Sequence, residues 1–458
     1  MGKLLVIGNG GVGRVSAHKA MQMPEVFSEV TVASRDFKKL EPFREEIRRV
    51  YGRDIKIEQV DADNQDRVSD LLRKVRPDVV VNVALPYQNE PISEACLENR
   101  VHYIDTATPE VRNEPGFSYR PQWRKQTRFE KAGVMLLAGF GYDPGRTSAD
   151  VAWLIKHHFD NNPGNVDKIE ILDCNAGNHG RVFATNFNPV TNIREVLLPT
   201  RRYVASTFGF VDGPRIIDPG ARHGLFPFPL FGQKDSLMRD AYLLYHEEEE
   251  SLARSFPWVD IDFYMTFGPV YIAHLKAFDK YGISSSTPLE FASNRVSPGE
   301  LIKRLAPNLA KDEANFELLK NLGMLDDRKR EFGSNHIRPV EILGSVLPDP
   351  RSLAPGYTGY TSICTIVTGK VDGRDRRVMI YNSCDHAACV RETGQHGISY
   401  TAGVPPAIAA EMIVRGHWKG AGVFNPEQLD PDPWMGSMAR NGLPYVIEEN
   451  CTRRVASD

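Results

Sequence analysis

Near its start the chain carries Gly8-Asn9-Gly10-Gly11-Val12-Gly13, three glycines spaced G-x-G-x-x-G directly after the apolar run Leu4-Leu5-Val6-Ile7. That spacing can cradle a pyrophosphate. Gly8 permits the tight turn, Gly10 lets a phosphate approach the backbone, and Gly13 lets the following helix pack close to the strand. A segment that reads as a helix follows from Arg14 to Met23, and its start, over Gly11, Val12, Gly13 and Arg14, offers unpaired N–H groups and a positive dipole end to an anion. A second apolar run, Val30-Thr31-Val32-Ala33, ends in Ser34-Arg35, with Lys38 and Lys39 nearby. A hydroxyl and a fixed guanidinium suit a 2′-phosphate, so the pattern favours NADP, with NADPH as hydride donor. Asp36 could instead reach a ribose hydroxyl, which keeps NAD as the alternative.

The elements that must position this turn follow in order. Residues 55–60 read as a third strand ending at Asp61-Ala62, an edge for the adenine pocket. Residues 65–74 are an amphipathic helix, and 79–84 read as a fully buried parallel strand that brings Val83 and Ala84 against the turn. Pro86 and Tyr87 lie at that strand's carboxyl end, where open α/β sheets bind ligands. A helix over 91–99 leads to a strand over 102–105 that ends in Asp105-Thr106. A sixth strand, 134–137, precedes the glycine-rich turn containing Asp143. The fold class expected is α/β: a Rossmann doubly wound parallel sheet plus a second α+β domain with a mixed sheet and a small helical insertion.

The first domain is expected at 1–145, completed by about 400–458, and the second at 146–399 with the insertion at about 294–336. Strands are expected at 166–174, 202–208, 260–267, 360–368 and 376–381, the last pair joined by an Asp372-Gly373 hairpin. The run Glu247-Glu248-Glu249-Glu250 reads as a solvated helix face rather than a polyamine or metal site. Gly403-Val404-Pro405-Pro406 reads as the opening of a helix reaching Ile413. No internal repeat stands out.

At 458 residues, 41% hydrophobic and 25% charged, the composition is that of a globular protein of two or three domains. A net charge of −3 gives no reason to expect nucleic acid or an anionic membrane as partner. No run is long and apolar enough to span a bilayer, and because the sequence enters a core strand at once no signal peptide is expected. Six scattered cysteines fit reduced thiols and a cytoplasmic location. Cys384-Asp385-His386 with Cys389 is poor zinc spacing, so no metal is expected.

Several longer motifs resemble the saccharopine dehydrogenase family, and within it the carboxynorspermidine-forming branch. They are Asp173-Cys174-Asn175-Ala176-Gly177-Asn178-His179-Gly180, Leu353-Ala354-Pro355-Gly356-Tyr357-Thr358-Gly359, Ile398-Ser399-Tyr400-Thr401-Ala402-Gly403 and Val423-Phe424-Asn425-Pro426-Glu427-Gln428-Leu429-Asp430. With the N-terminal unit they cover most of the chain. The resemblance implies a reductive condensation in polyamine biosynthesis, in which L-aspartate 4-semialdehyde meets putrescine or 1,3-diaminopropane and NADPH reduces the imine. It also implies a homodimer built through the second domain.

That reaction needs an anionic pocket, a carboxylate anchor and proton transfer. Asp105, Asp143 and Asp385 are candidates to hold an ammonium, each also readable as a cap or turn residue. Lys156, Arg146, Arg181, Arg201 and Arg202 are undistinguished candidates for the carboxylate. His179 and His386, with Asp105, are the proton-transfer candidates, since imidazole titrates near neutrality. Tyr87 and Tyr400 can donate hydrogen bonds, and Thr106, Asn175, Asn186 and Asn382 can orient polar groups; core packing or strand termination is the alternative for each. Saccharopine dehydrogenase or homospermidine synthase activity stands as a rival, as does a non-catalytic NADP sensor or scaffold.

Overall fold

The computed structural model of the chain describes residues 1–110, 116–230 and 236–449. Seven strands form the first sheet, in the order Gly422–Phe424, Met135–Leu137, His102–Asp105, Val79–Asn82, Gly2–Ile7, Phe27–Ser34 and Lys56–Gln59. Every pairing in it is parallel. Val79, Val80 and Val81 are fully buried, as expected where helices cover both faces of a parallel sheet. Strand order reverses between Gly2–Ile7 and Val79–Asn82, which opens a crevice at their carboxyl ends.

The glycine turn sits in that crevice. Gly8 has φ of +124°, and a Cβ on Gly13 would stand 2.0 Å from the Gly8 carbonyl oxygen. Helix Gly11–Gln22 therefore lies closer to its strand than any side chain would allow.

Helix Gly397–Val414 crosses Gly11–Gln22 and starts earlier than expected, so Pro405 and Pro406 lie inside it rather than near its first turn. Side chains of neighbouring helices brace the backbone beside the prolines. The Ser16 hydroxyl donates to the Gly403 carbonyl at 2.8 Å, and the Trp434 indole N–H donates to the Pro405 carbonyl at 3.2 Å.

A second, nine-stranded mixed sheet is built on the long strands Val166–Asn178, Thr358–Val371 and Arg374–Asp385. Asp372 and Gly373 take positive φ values of 51° and 74° in the predicted hairpin. The strand expected at 202–208 is shorter: Arg201–Val204 turns through Phe208, at φ 48°, into Gly209–Asp212. Val446–Glu449 pairs with Arg374–Asp385, so the last strand joins the second sheet instead of the nucleotide unit.

The insertion contains a repeat that the sequence reading missed. Glu290-Phe291-Ala292-Ser293-Asn294 and Glu331-Phe332-Gly333-Ser334-Asn335 are related by pseudo-symmetry. The Phe291 N–H donates to the Asn335 carbonyl and the Phe332 N–H to the Asn294 carbonyl, each at 2.9 Å. Each copy runs on to a proline that opens a helix, Pro298–Leu305 and Pro339–Val346. The glutamate run is likewise not a solvated face. Glu248 and Glu249 are fully buried and Glu247 is 5% exposed, because helix Glu248–Ser255 begins at the seam between the two sheets. Among the described residues, no helix is long and apolar enough to cross a membrane.

Candidate active site

A cavity of about 470 Å³ runs from the glycine turn to that acidic seam. Gly8, Gly10, Gly11 and Val12 line its first end, with Val83 and Ala84 facing them. A Cβ added to Gly10 would meet nothing within 4 Å, so the turn is open where a pyrophosphate must lie. Ser34, Arg35 and Ala62 continue this wall. Asp61 lines an adjoining hollow with Arg35, Gln59 and Val60. Asp36 is paired with Lys39 at 3.4 Å and does not line the cavity, which leaves Arg35 as the charged group at the ribose end. Gly13 stays behind the turn in its packing role.

Pro86, Thr106 and Asp143 line the middle of the cavity. Beyond them come Asp173, Glu195, His246 and Glu247, none of which the sequence reading assigned to a site. Asp143 and Asp173 are buried neighbours whose carboxyls interact. Burial and then the Asp173 charge push Asp143 well above the usual carboxyl range, and burial lifts Asp173 to about 6. Glu195 is raised by burial and then by its neighbour Glu110. Burial pushes Glu247 up to about 7, although it accepts hydrogen bonds from Thr108. Burial opposes charge on His246, but Glu248, Glu247 and Asp143 outweigh it and hold the imidazolium well above its ordinary range. This end of the cavity is a set of carboxyls that a bound cation would ionise.

The histidine candidates lie behind the cavity wall. The His386 and Tyr357 rings stack with centroids 4.1 Å apart, and His179 meets Tyr357 edge-on at 5.6 Å. Burial depresses His386 to about 4, and burial and then Arg181 lower His179. Both are therefore neutral near pH 7, and neither lines the cavity. Asn175 connects them to it. Its amide nitrogen donates to the Tyr357 hydroxyl at 2.8 Å, and that hydroxyl donates to Asn186, a lining residue, at 3.0 Å.

Other candidates are committed elsewhere. Asp105 is fully buried, accepts from the Gly139 N–H and the Gln122 amide at 2.9 and 2.6 Å, and is absent from the lining. Burial raises it to about 7. Asp385 caps helix His386–Thr393 by accepting from the Ala388 N–H at 2.7 Å. Asn382 donates to the Pro444 carbonyl at 2.6 Å. Tyr400 accepts from Lys19 and donates to Glu392, each at 2.7 Å. Tyr87 is not among the lining residues.

The basic candidates are also outside. Lys156 pairs with Asp430 and Asp432, Arg201 with Asp212, and Arg202 with Asp262. Arg146 is fully buried against Asp150 at 2.6 Å, and Arg181 is exposed on its loop. The missed residues carried weak signals. Asp173 opens one of the family motifs, and the four consecutive glutamates were visible but read as solvated.

Residues 4–137 match the saccharopine dehydrogenase NADP binding domain, and residues 141–443 match the saccharopine dehydrogenase C-terminal domain. The chain is 37% identical over 446 residues to a carboxyaminopropylagmatine dehydrogenase of Synechocystis sp., covering 97% of each. It is 35% identical to a carboxynorspermidine synthase of Vibrio alginolyticus, again covering 97% of each. Its fold is similar to that of the apo saccharopine dehydrogenase (L-Glu forming) from Saccharomyces cerevisiae, with a TM-score of 0.68 at 14% identity over 98% of this chain and 100% of that one.

Proposed function

The chain belongs to the saccharopine dehydrogenase family and is an NADP-binding oxidoreductase, and within that frame we propose that it joins L-aspartate 4-semialdehyde to the primary amine of a polyamine precursor. The observation that carries this reading is one continuous cavity with a nucleotide turn and Arg35 at one end and paired carboxyls at the other. The names of the relatives widen the choice of amine from putrescine and 1,3-diaminopropane to agmatine. All three are cations whose far end suits the Glu247 carboxyl.

The amine attacks the aldehyde carbon, and the carbinolamine loses water to leave an imine. Gly8 to Val12 and Arg35 would hold NADPH, the first at its pyrophosphate and the last at its 2′-phosphate, and the bound cofactor would supply the hydride that turns the imine into a secondary amine. Burial favours the protonated form of the Asp143–Asp173 pair, so it can protonate the departing hydroxyl and take a proton back. His246, held as an imidazolium by Glu248, keeps the neighbouring carboxyls partly ionised.

The test is an initial-rate panel with NADPH, the semialdehyde and each amine. Turnover with at least one of the three amines supports the reading. Turnover only with α-aminoadipate semialdehyde and glutamate moves it to saccharopine chemistry, and tight NADPH binding without any turnover leaves a sensor. The proposal extends to a cytoplasmic homodimer acting on small molecules, with neither nucleic acid nor membrane as partner; sedimentation equilibrium tests the dimer.

A further inference from the structure

The proposed reaction needs an anchor for the α-carboxylate of the aldehyde substrate. Among the described residues lining the cavity, the one Lys or Arg is Arg35, at the nucleotide end. We infer that this carboxylate is held without a Lys or Arg, by the side-chain amides of Asn186 and Asn192, two lining residues. The identity of the ligand rests on the proposed reaction; the polarity of the wall follows from its hydrogen bonds.

That polarity can be traced atom by atom. The Gly397 N–H donates to His386 Nδ1 at 2.9 Å, so the neutral ring carries its proton on Nε2. Nε2 faces Asn175 Oδ1 at 3.2 Å, and the same oxygen accepts from the Gly177 N–H at 3.0 Å. Asn175 Nδ2 therefore points to Tyr357, and the Tyr357 proton is left for Asn186 Oδ1 at 3.0 Å. With its oxygen turned to Tyr357, Asn186 offers its Nδ2 donors to the cavity. Asn192 repeats the arrangement, since the Tyr271 hydroxyl donates to its Oδ1 at 3.1 Å. Asn188, between them, spends its oxygen on the Val190 and Thr191 N–H groups at 3.0 and 3.1 Å.

The wall is thus a row of amide donors, the complement of a carboxylate. Glu195 lies one helical turn beyond Asn192 on Pro189–Val196 and gives the α-ammonium of the same head group an acceptor.

The test is calorimetric titration of the NADP-loaded protein with L-2-aminobutyrate, the head group without its aldehyde, and with propylamine, its decarboxylated counterpart. The wild type is expected to bind aminobutyrate about tenfold or more tightly than propylamine. Asn186→Asp and Asn192→Asp keep an acceptor for each tyrosine but reverse the donor. Each is expected to weaken aminobutyrate about tenfold or more while leaving NADPH affinity unchanged. Tyr357→Phe, which frees the Asn186 amide to rotate, is expected to weaken aminobutyrate but not propylamine. No carboxylate preference in the wild type overturns the inference without any variant. So do Asp variants that tighten propylamine and spare aminobutyrate, because the wall would then face a cation. If the head group binds as expected but no amine supports NADPH oxidation, the reaction is wrong and the cradle stands.

Discussion

Glu247 accepts two hydrogen bonds from Thr108, one from its backbone N–H and one from its hydroxyl, each at 2.8 Å. This contact ties the loop after the fifth parallel strand to the start of helix Glu248–Ser255, and it holds a carboxyl at the cavity wall with its proton poised at about 7. A cationic amine arriving there favours the charged carboxylate, lowers its pKa and expels the proton.

Amine affinity should therefore rise as pH increases from about 6 to 8, the range in which Asp173 and Glu247 titrate without ligand. Titrations in two buffers of different ionisation heat should register proton release on amine binding. Glu247→Gln should reduce that release and raise the KM for the amine. Proton uptake on binding would refute the assignment.

Arg35→Ala should weaken NADPH by about ten- to a hundredfold, the loss expected for a charged hydrogen bond, with little effect on NADH. Fluorescence titration of the two reduced cofactors measures this. Equal losses for both would remove Arg35 from the 2′-phosphate.

Asp143→Asn or Asp173→Asn should lower kcat by about a hundredfold or more while sparing NADPH affinity. Asp173→Asn should also abolish a kcat limb near pH 6. A limb near 4 that vanishes in His386→Asn would instead return the proton transfer to that histidine.

Gly13→Ala and Gly10→Ala should fail in different ways. A Cβ at 13 meets the Gly8 carbonyl oxygen at 2.0 Å, so denaturant unfolding should show a loss of about 1–3 kcal/mol or more. At Gly10, φ is −78° and nothing lies within 4 Å, so stability should hold while NADPH binding falls. The same pattern in both variants would contradict the geometry of the turn.

The nucleotide half was legible because its signals are local: a glycine spacing, apolar strand runs and a basic residue at a strand end. The substrate half was not, because its residues come from separate elements. Asp143, Asp173, Glu195 and Glu247 meet only after Val166–Asn178 and Glu248–Ser255 fold against the first sheet. The Glu247 to Glu250 run looked solvated because charge density alone does not reveal a partner such as Thr108, far away in sequence. His386 and Asp105 followed the correct rule, polar residues at strand ends, yet their hydrogen bonds turn them inward. Pro405 and Pro406 misled because local preference yields to packing against Gly11–Gln22.

The most direct test of the account uses NADPH deuterated at the transferred position, the semialdehyde and an amine, with the product read by mass spectrometry. The account predicts that cofactor oxidation requires both substrates and that the deuterium appears on the carbon of the new C–N bond. Oxidation by the semialdehyde alone, with the label in an alcohol, would contradict it.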